Sequence, residues 1–382
     1  MGIPMLAIIV PDLFRESVTF FHEHIAHIAP GRTIVVHLST TGEEAPTEVP
    51  TLEVPLSSPW PEPRWPLLNR VVRQINVHRA ATLSHASERL IEDFLLSHGA
   101  THLFAEFAST GSTILPVAKN LALPLTVMSH GWDVNVLGSM PQWRWRYRKL
   151  FQEAKLIANS PFLYGRMVSI GAPRERLRIV SCAVATPPIS PVSHEGNRTR
   201  VVMLSRMTPQ KGPLHSLRAF ALAADQHDAL SLDIVGDGPM LAQIRDAVRE
   251  LRLEERTTIH GMLPHDQAKQ IVSESHLLIQ HCLTLPGGGI ESQGLSVMEA
   301  MSCGLVPIVT RHGAFPDYIR DGKTGWLVDE GDINAMAKRL VRMAADPAAR
   351  RRIGVAARDV ITREFSRDFI YPRLRAAIGL AT

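Results

Sequence analysis

Residues 291–299 read Glu-Ser-Gln-Gly-Leu-Ser-Val-Met-Glu, and the rest of the chain can be interpreted outward from this segment. It places two carboxylates eight residues apart, with Gly294 between them and a mostly apolar run from there to Gly304. We interpret the segment as a loop, a glycine turn and a short helix that ends at Gly304. The apolar residues Val306–Val309 then predict a buried strand.

This predicted geometry has a chemical use. The first N–H groups of a helix form an anion site, and a glycine at the turn lets a phosphate approach the backbone closely. A carboxylate binds phosphate poorly but accepts hydrogen bonds from paired hydroxyls. Two carboxylates beside an anion site therefore suit a nucleotide sugar, which carries a diphosphate between two polyhydroxylated groups. The alternative is an ordinary surface helix with two solvated glutamates.

The composition is typical of a water-soluble globular protein with room for two domains. The chain has 382 residues, of which 45% are apolar, 20% charged and 6% aromatic. Its apolar runs are shorter than the roughly 20 residues of a membrane span. Three scattered cysteines without metal-ligand spacing indicate a reduced, cytoplasmic protein. The net charge of +4 suits an anionic ligand or membrane surface, and the absence of a long basic run argues against nucleic-acid binding.

Both halves of the chain alternate strand-like and helix-like segments, which predicts doubly wound parallel sheets. The proline-rich stretch 186–191 and the polar residues after it are the best linker. We therefore expect an N-terminal domain at residues 1–188 and a C-terminal domain at 189–364. A helix in residues 365–382 is expected to return to the N-terminal domain.

The loop Ser205–Gly212 follows a predicted strand and carries two cations, Arg206 and Lys211. Ligands of doubly wound sheets bind at the carboxyl ends of strands. Two cations at such a place can neutralise a diphosphate leaving group without a metal ion. The sequence offers no Asp-x-Asp pair for magnesium, so we predict no metal site. An ordinary basic loop is the alternative.

A second segment, residues 143–149, interleaves aromatic and basic side chains. It predicts either a half-exposed helix whose aromatics pack inward or a patch that meets anionic lipid headgroups. The residues of this patch are Trp143, Arg144, Trp145, Arg146, Arg148 and Lys149.

From about Val201 to Phe365 the chain resembles the retaining glycosyltransferases of family 4. The resemblance implies the GT-B fold, an α/β architecture of two Rossmann-like domains facing each other across a cleft. The most specific match is the pair of glutamates eight apart, of which the second begins the segment Glu-Ala-Met-Ser-Cys-Gly. The matching segments are Ser205–Gly212, Ile234–Pro239, Glu291–Gly304, His312–Asp317 and Gly325–Val328.

The resemblance also implies roles for individual residues. Arg206 and Lys211 would bind the donor diphosphate, Glu291 would meet hydroxyls of the donor sugar, and Glu299 would take the ribose hydroxyls. Retention would follow from departure and attack on one face of the sugar, with the leaving phosphate as base. The remaining implied donor contacts are the base at Met262 and the backbone amides of Gln293, Gly294, Leu295 and Ser296.

The first half of the chain resembles the family less closely. Leu125–Asp133 looks like its strand ending in His-Gly-x-Asp, which would place His130 at the sugar, and Leu13–Phe21 resembles a segment of polysaccharide-building members. Three residues depart from the pattern and put acceptor choice in doubt. They are Glu106, where many relatives have histidine, and Ala183 and Ala185 before the linker.

The sequence therefore predicts a retaining, metal-independent glycosyltransferase of bacterial polysaccharide biosynthesis, peripheral on the inner face of the plasma membrane. It would move a sugar from a UDP- or GDP-sugar to a glycan or lipid-linked oligosaccharide, without any cofactor. Two alternatives stay open: a nucleotide-sugar epimerase of the same architecture, and a non-catalytic GT-B partner subunit.

Overall fold

The computed structural model describes residues 4–11, 19–38, 48–56, 65, 68, 82–187, 198–287 and 289–380. The chain divides into two compact units. The first consists of Met1–Ala183 together with Ile370–Thr382, and the second of Val184–Phe369.

Within its described residues, the first unit contains one sheet of seven parallel strands in the order β3-β2-β1-β4-β5-β6-β7. The order reverses between β1 and β4, so the sheet is doubly wound. The strands are β1 (Met5–Val10), β2 (Thr33–His37), β3 (Thr51–Glu53), β4 (Ala100–Glu106), β5 (Leu125–Ser129), β6 (Lys155–Ala158) and β7 (Leu177–Ile179).

Helices connect these strands, and the last helix of the chain joins them. Tyr371 of that helix donates a hydrogen bond from its hydroxyl to the carbonyl of Glu23 at 3.1 Å. Arg375 donates to the carbonyls of His27 and Ile28 at 3.2 and 3.3 Å, so the helix caps the end of α1. The helices are α1 (Thr19–His27), α2 (His85–Ser97), α3 (Ala108–Asn120), α4 (Trp132–Asn135), α5 (Pro141–Glu153) and α6 (Pro161–Ser169).

The second unit contains, within its described residues, six parallel strands in the order β10-β9-β8-β11-β12-β13. Its strand order reverses between β8 and β11. The strands are β8 (Thr199–Leu204), β9 (Leu230–Val235), β10 (Thr257–Gly261), β11 (Leu277–Gln280), β12 (Val306–Thr310) and β13 (Trp326–Val328). The helices are α7 (Pro213–Ala224), α8 (Leu241–Glu250), α9 (His265–Ser273), α10 (Leu295–Ser302), α11 (Phe315–Tyr318), α12 (Ile333–Ala345) and α13 (Pro347–Glu364). The last helix of the chain, α14 (Arg367–Ile378), belongs from Ile370 onward to the first unit.

The central strands are short apolar runs because helices cover both faces of each sheet. All five residues of β12 are buried, for example, and the strand lies between two separate apolar clusters. No helix in the described part of the chain is long and apolar enough to cross a bilayer.

The predicted doubly wound sheets are confirmed in both halves, and the structure corrects two local predictions from the sequence. The proline-rich stretch 40–66, predicted to be irregular, contains the three-residue strand β3. The helix expected to start at Pro239 starts at Leu241, with Met240 as its N-cap residue. The sequence also predicts a long helix from about Leu67 to Ser97. Its first part lies mostly outside the described residues, and its second part contains α2 (His85–Ser97).

Glycines fix both ends of α10. Gly294 precedes the helix with a φ of +79°, and a β-carbon there would lie 2.4 Å from the Phe315 ring. After the helix, the carbonyl oxygen of Gly304 would lie only 2.1 Å from a β-carbon placed on Gly354 of α13. The backbones of the two helices therefore pack in direct contact.

We expect Gly354→Ala to lower the free energy of unfolding by about 1–3 kcal/mol, because the methyl group would collide with a backbone oxygen that cannot rotate away. Gly165→Ala is the matched control, since Gly165 also lies inside a helix but has open space around it. That change should raise stability by about 0.5–1 kcal/mol. Thermal unfolding of both variants measures the difference, and equal shifts would contradict the close approach.

Candidate functional site

The candidate site of the second unit lies at the carboxyl ends of β8 and β11, where the strand order reverses. Arg206 and Lys211 follow β8, and Glu291 lies in the connection from β11 to α10. This is the position at which open parallel sheets bind ligands. The sheet thus brings together side chains that are 80 residues apart in sequence.

Lys211 and Glu291 form an ion pair, Nζ to Oε2, and their side chains are only 14% and 15% exposed. Burial disfavours the charge of Lys211, but the Glu291 carboxylate outweighs this effect and raises its pKa. Burial likewise acts against ionised Glu291, but Lys211 holds the pKa of that carboxyl below its ordinary value. Both groups therefore stay charged at neutral pH.

The first turn of α10 lies beside this pair. The backbone N–H of Gly294 donates to Oε1 of Glu291 at 3.1 Å, and those of Val297 and Met298 donate to the Gly294 carbonyl at 3.0 and 3.2 Å. Among the described residues, the N–H groups of Leu295 and Ser296 have no acceptor. These N–H groups are available to an anion.

The other residues predicted to contact the sugar donor lie on several elements of the second unit. Arg206 is exposed, and its positive charge offsets part of the rise that Glu291 causes in the pKa of Lys211. Gln293 is buried, with its side-chain nitrogen 3.3 Å from the sulfur of Met298. Glu299 is half-buried on the second turn of α10, and Met262 follows β10 with 51% of its surface exposed.

In the first unit, Glu106 lies buried between two histidines. Its Oε1 is 2.5 Å from Nδ1 of His24 on α1, and its Oε2 is 2.6 Å from Nε2 of His130 after β5. Burial raises the pKa of Glu106, but the two histidines outweigh that effect and hold the pKa at about 2. Glu106, which stands where many relatives have histidine, is therefore an ionised carboxylate that accepts hydrogen bonds from the rings of His24 and His130.

The proton positions in this cluster follow from its chemistry. An ionised carboxylate only accepts hydrogen bonds, so His24 donates from Nδ1 and His130 from Nε2. Burial raises the pKa of Cys182 well above its ordinary value, and its thiol lies 3.7 Å from Nδ1 of His130. Glu106 and Cys182 thus lie at the two ring nitrogens of His130.

Aromatic rings and a turn fix the position of His130. Its ring lies 4.4 Å from Phe20 and 5.0 Å from Phe107, measured between ring centroids. The carboxylate of Asp133 accepts from the backbone N–H of His130 at 3.2 Å and from that of Gly131 at 3.0 Å. The His-Gly-x-Asp motif is therefore a turn at the end of β5 in which the Asp133 carboxylate accepts hydrogen bonds from the motif's own backbone.

Sequence reasoning missed a third cluster, which surrounds His312 after β12. Nε2 of His312 accepts from the N–H of Glu291 at 3.0 Å, and Nδ1 lies 2.7 Å from Oε1 of Glu330. Thr284 donates to Glu330 from its N–H at 2.7 Å and from its hydroxyl at 2.8 Å. Its position directly after a predicted strand was the one available signal for His312.

Comparison with known proteins identifies the second unit. The sequence profile described as glycosyl transferases group 1 matches residues 189–360, which include Arg206, Lys211 and Glu291. Most of the second unit thus matches the glycosyl transferases group 1 family.

Two curated relatives extend beyond the group 1 domain. The amylovoran biosynthesis glycosyltransferase AmsK of Erwinia amylovora is 25% identical over 64% of this chain and 61% of its own length. A GDP-mannose-dependent phosphatidylinositol monomannoside mannosyltransferase of Mycolicibacterium smegmatis is 27% identical over 64% of this chain and 67% of its own. The chain thus spans about two thirds of the length of these relatives.

The fold of both units is similar to that of solved glycosyltransferases. The crystal structure of Anabaena Alr3699/HepE in complex with UDP matches with a TM-score of 0.78 at 17% identity. The match covers 98% of this chain and 99% of HepE. The predicted GT-B fold is confirmed.

The Glu106 cluster makes stability depend on pH. The carboxyl titrates near 4.5 in the unfolded chain and near 2 in the folded protein. Its contribution, about 3 kcal/mol, is thus complete above pH 4.5 and lost as the pH falls from 4.5 to 2. We expect Glu106→Gln to lower stability by about this amount at pH 7, and by progressively less below pH 4.5.

Scanning calorimetry at pH 7 and at two pH values below 4.5 measures this difference. Glu254→Gln serves as the control, because Glu254 is exposed. A stability loss in Glu106→Gln that stays constant from pH 7 to pH 3, or that only equals the control, would show that the carboxylate is not held ionised by the histidines.

Proposed function

We propose that the protein is a retaining glycosyltransferase that moves a sugar from a nucleoside diphosphate sugar to a glycan or a lipid-linked oligosaccharide. The observation that carries this proposal is the part-buried Lys211–Glu291 pair beside the open N–H groups of α10, within the residues that match the group 1 family. That arrangement offers an anion site and a hydroxyl acceptor in contact with each other.

The donor diphosphate would bind at the first turn of α10, against the N–H groups of Leu295 and Ser296. Lys211 retains two further N–H bonds beyond the one it donates to Glu291, so it can hold the diphosphate without releasing the carboxylate. Arg206, which is exposed, can fold onto the same phosphates. The similar HepE structure contains UDP, which supports a nucleotide as part of the ligand.

Three more residues would contact the donor. Glu291 would accept from sugar hydroxyls, since its oxygens already lie between Lys211 and the helix amides. Glu299 would accept from the ribose, and Met262 would pack on the base at the end of β10. The choice between UDP and GDP stays open, because HepE binds UDP and the mycobacterial relative is named for GDP-mannose.

The reaction would break the bond between the anomeric carbon and the diphosphate oxygen. An acceptor hydroxyl would form the new bond on the same face, and its proton would pass to the leaving phosphate oxygen. The charge that develops on the diphosphate would be stabilised by Lys211, Arg206 and the α10 amides, in place of a divalent cation. No cofactor is required by this balance of atoms and electrons.

The acceptor would bind the first unit, where the Asp133 carboxylate holds the turn that carries His130 at the end of β5. The relatives AmsK and the mannosyltransferase carry names that refer to a polysaccharide and to a lipid-linked mannoside. These names support a glycan or lipid-linked acceptor in bacterial polysaccharide biosynthesis.

A lipid-linked acceptor would require an approach to the membrane, and α5 has the side chains for it. Trp143 and Tyr147 are buried, whereas Trp145 is 58% exposed with the ammonium of Lys149 stacked 4.1 Å above its ring. Arg144 and Arg148 are exposed on the same helix. We infer that this exposed face contacts anionic headgroups on the cytoplasmic side.

A panel of UDP- and GDP-sugars with lipid and glycan acceptors tests the proposed reaction. Transfer with retained anomeric configuration, measured by NMR of the product, is expected. An epimerised donor without any acceptor would instead identify the alternative epimerase, and inert donors throughout would identify a partner subunit without catalysis.

Lys211→Ala should lower the turnover number by about a hundredfold or more, because a leaving diphosphate would lose one of its two cations. Initial rates of sugar transfer at saturating donor measure the effect. Lys338→Ala, which removes an exposed lysine of α12, is the control and should leave the rate unchanged. Near-normal turnover of Lys211→Ala would refute its role.

Replacing Arg144, Arg148 and Lys149 by glutamine should weaken binding to phosphatidylglycerol vesicles by about a hundredfold, since each cation near an anionic surface contributes about 1 kcal/mol. Vesicle co-sedimentation at low salt measures the binding. The control replaces Arg351 and Arg352, two exposed cations of α13. Equal sedimentation of the wild type and the triple variant would end the membrane proposal.

A further inference from the structure

We propose that His312 is the positioning residue of the donor site: its neutral ring holds the backbone of Glu291, and protonation of the ring releases it. This inference rests on the proposed function, because it assigns His312 to the control of a carboxylate that contacts the donor.

The protonation state of His312 follows from its partner. A backbone N–H can only donate, so Nε2 of His312, 3.0 Å from the nitrogen of Glu291, must carry a lone pair. The ring proton then lies on Nδ1, which is 2.7 Å from Oε1 of Glu330. The side chain is fully buried, so water does not replace either bond.

Glu330 holds the ring in this tautomer. Burial raises the pKa of Glu330, but the bonds from Thr284 and His312 outweigh it and keep the pKa below its ordinary value. Thr284 follows β11, His312 follows β12 and Glu330 follows β13. The cluster therefore ties together three loops at the carboxyl edge of the sheet.

The other side of the Glu291 peptide is also fixed. Its carbonyl accepts from the N–H of Ala314 at 3.1 Å, and a β-carbon on Gly313 would lie 1.9 Å from that oxygen. Gly313 has a φ of +53°, so glycine meets both requirements there. Residues 312–314 thus form hydrogen bonds with both the N–H and the carbonyl of Glu291. The side chain of Glu291 contacts Lys211 and the N–H of Gly294 instead.

A second proton on His312 would break the hydrogen bond that its Nε2 accepts from the N–H of Glu291. Nε2–H would face the N–H of Glu291, and a donor would oppose a donor. The charged groups nearest the ring are the carboxylates of Glu330 and Glu291, and both interact with it electrostatically. The neighbouring Arg311 is turned towards the carboxylates of Asp321 and Asp329 at 3.1 and 3.5 Å. Protonation therefore loosens the Glu291 segment and lowers transfer on the acid side.

Two substitutions separate the two bonds of the ring. His312→Gln places an acceptor oxygen near the position of Nε2, so it keeps the bond from Glu291 and loses the one to Glu330. His312→Asn places a donor near the position of Nδ1, so it keeps Glu330 and leaves the Glu291 N–H without an acceptor. Neither side chain titrates, and both remove the ring.

We expect His312→Gln to keep kcat within about threefold of wild type and to lose the acid limb of its pH profile. His312→Asn should lose about tenfold to a hundredfold in kcat, with a smaller change in the donor KM, because the carboxylate is misplaced rather than removed. Equal activity of the two variants, or more activity in His312→Asn, would overturn the inference. So would an acid limb that persists in His312→Gln.

Amide hydrogen exchange provides a test that needs no substrate. Protection of the Glu291 amide should persist in His312→Gln, vanish in His312→Asn, and fall in wild type as the pH is lowered. The Met240 amide, which donates to the carbonyl of Met207, is the internal control. An unprotected Glu291 amide in wild type at neutral pH overturns this inference alone. A protected amide in a protein that transfers no sugar overturns the proposed function alone.

Discussion

The ion pair of Lys211 and Glu291 is the interaction on which the second unit depends. Both side chains lie mostly out of water, where either charge alone would be costly. Their attraction connects the loop after β8 to the loop before α10 at the point where the strand order reverses. Because Gly294 N–H bonds to the same carboxylate, one contact fixes the cation, the carboxylate and the start of the helix.

Sequence predicted the architecture well because parallel strands buried on both faces are continuous apolar runs. β1 and β12 are clear examples, and the doubly wound arrangement follows from their alternation with helices. β3 escaped prediction because its three residues lie in a proline-rich stretch and are half-buried, so neither a run nor an alternating pattern marks them. Backbone pairing with β2 alone makes Thr51–Glu53 a strand.

The candidate site was predictable only where a residue's place in the chain determines its role. Arg206, Lys211 and Glu291 follow strands and flank glycine turns, so their loops could be assigned from sequence. His24 and His312 could not, because each acts through a bond to a residue on another element. The departure at Glu106 likewise became intelligible only once both of its histidine partners were located.

The cap on α1 has a practical consequence for dissecting this protein. The hydroxyl of Tyr371 and the guanidinium of Arg375 occupy the carbonyls at the end of the helix that carries His24. A fragment that ends before the second unit would therefore lack Ile370–Thr382, the terminal segment that belongs to the first unit. To isolate that half, the terminal segment must be fused behind β7 or supplied as a separate peptide, as in split-protein complementation.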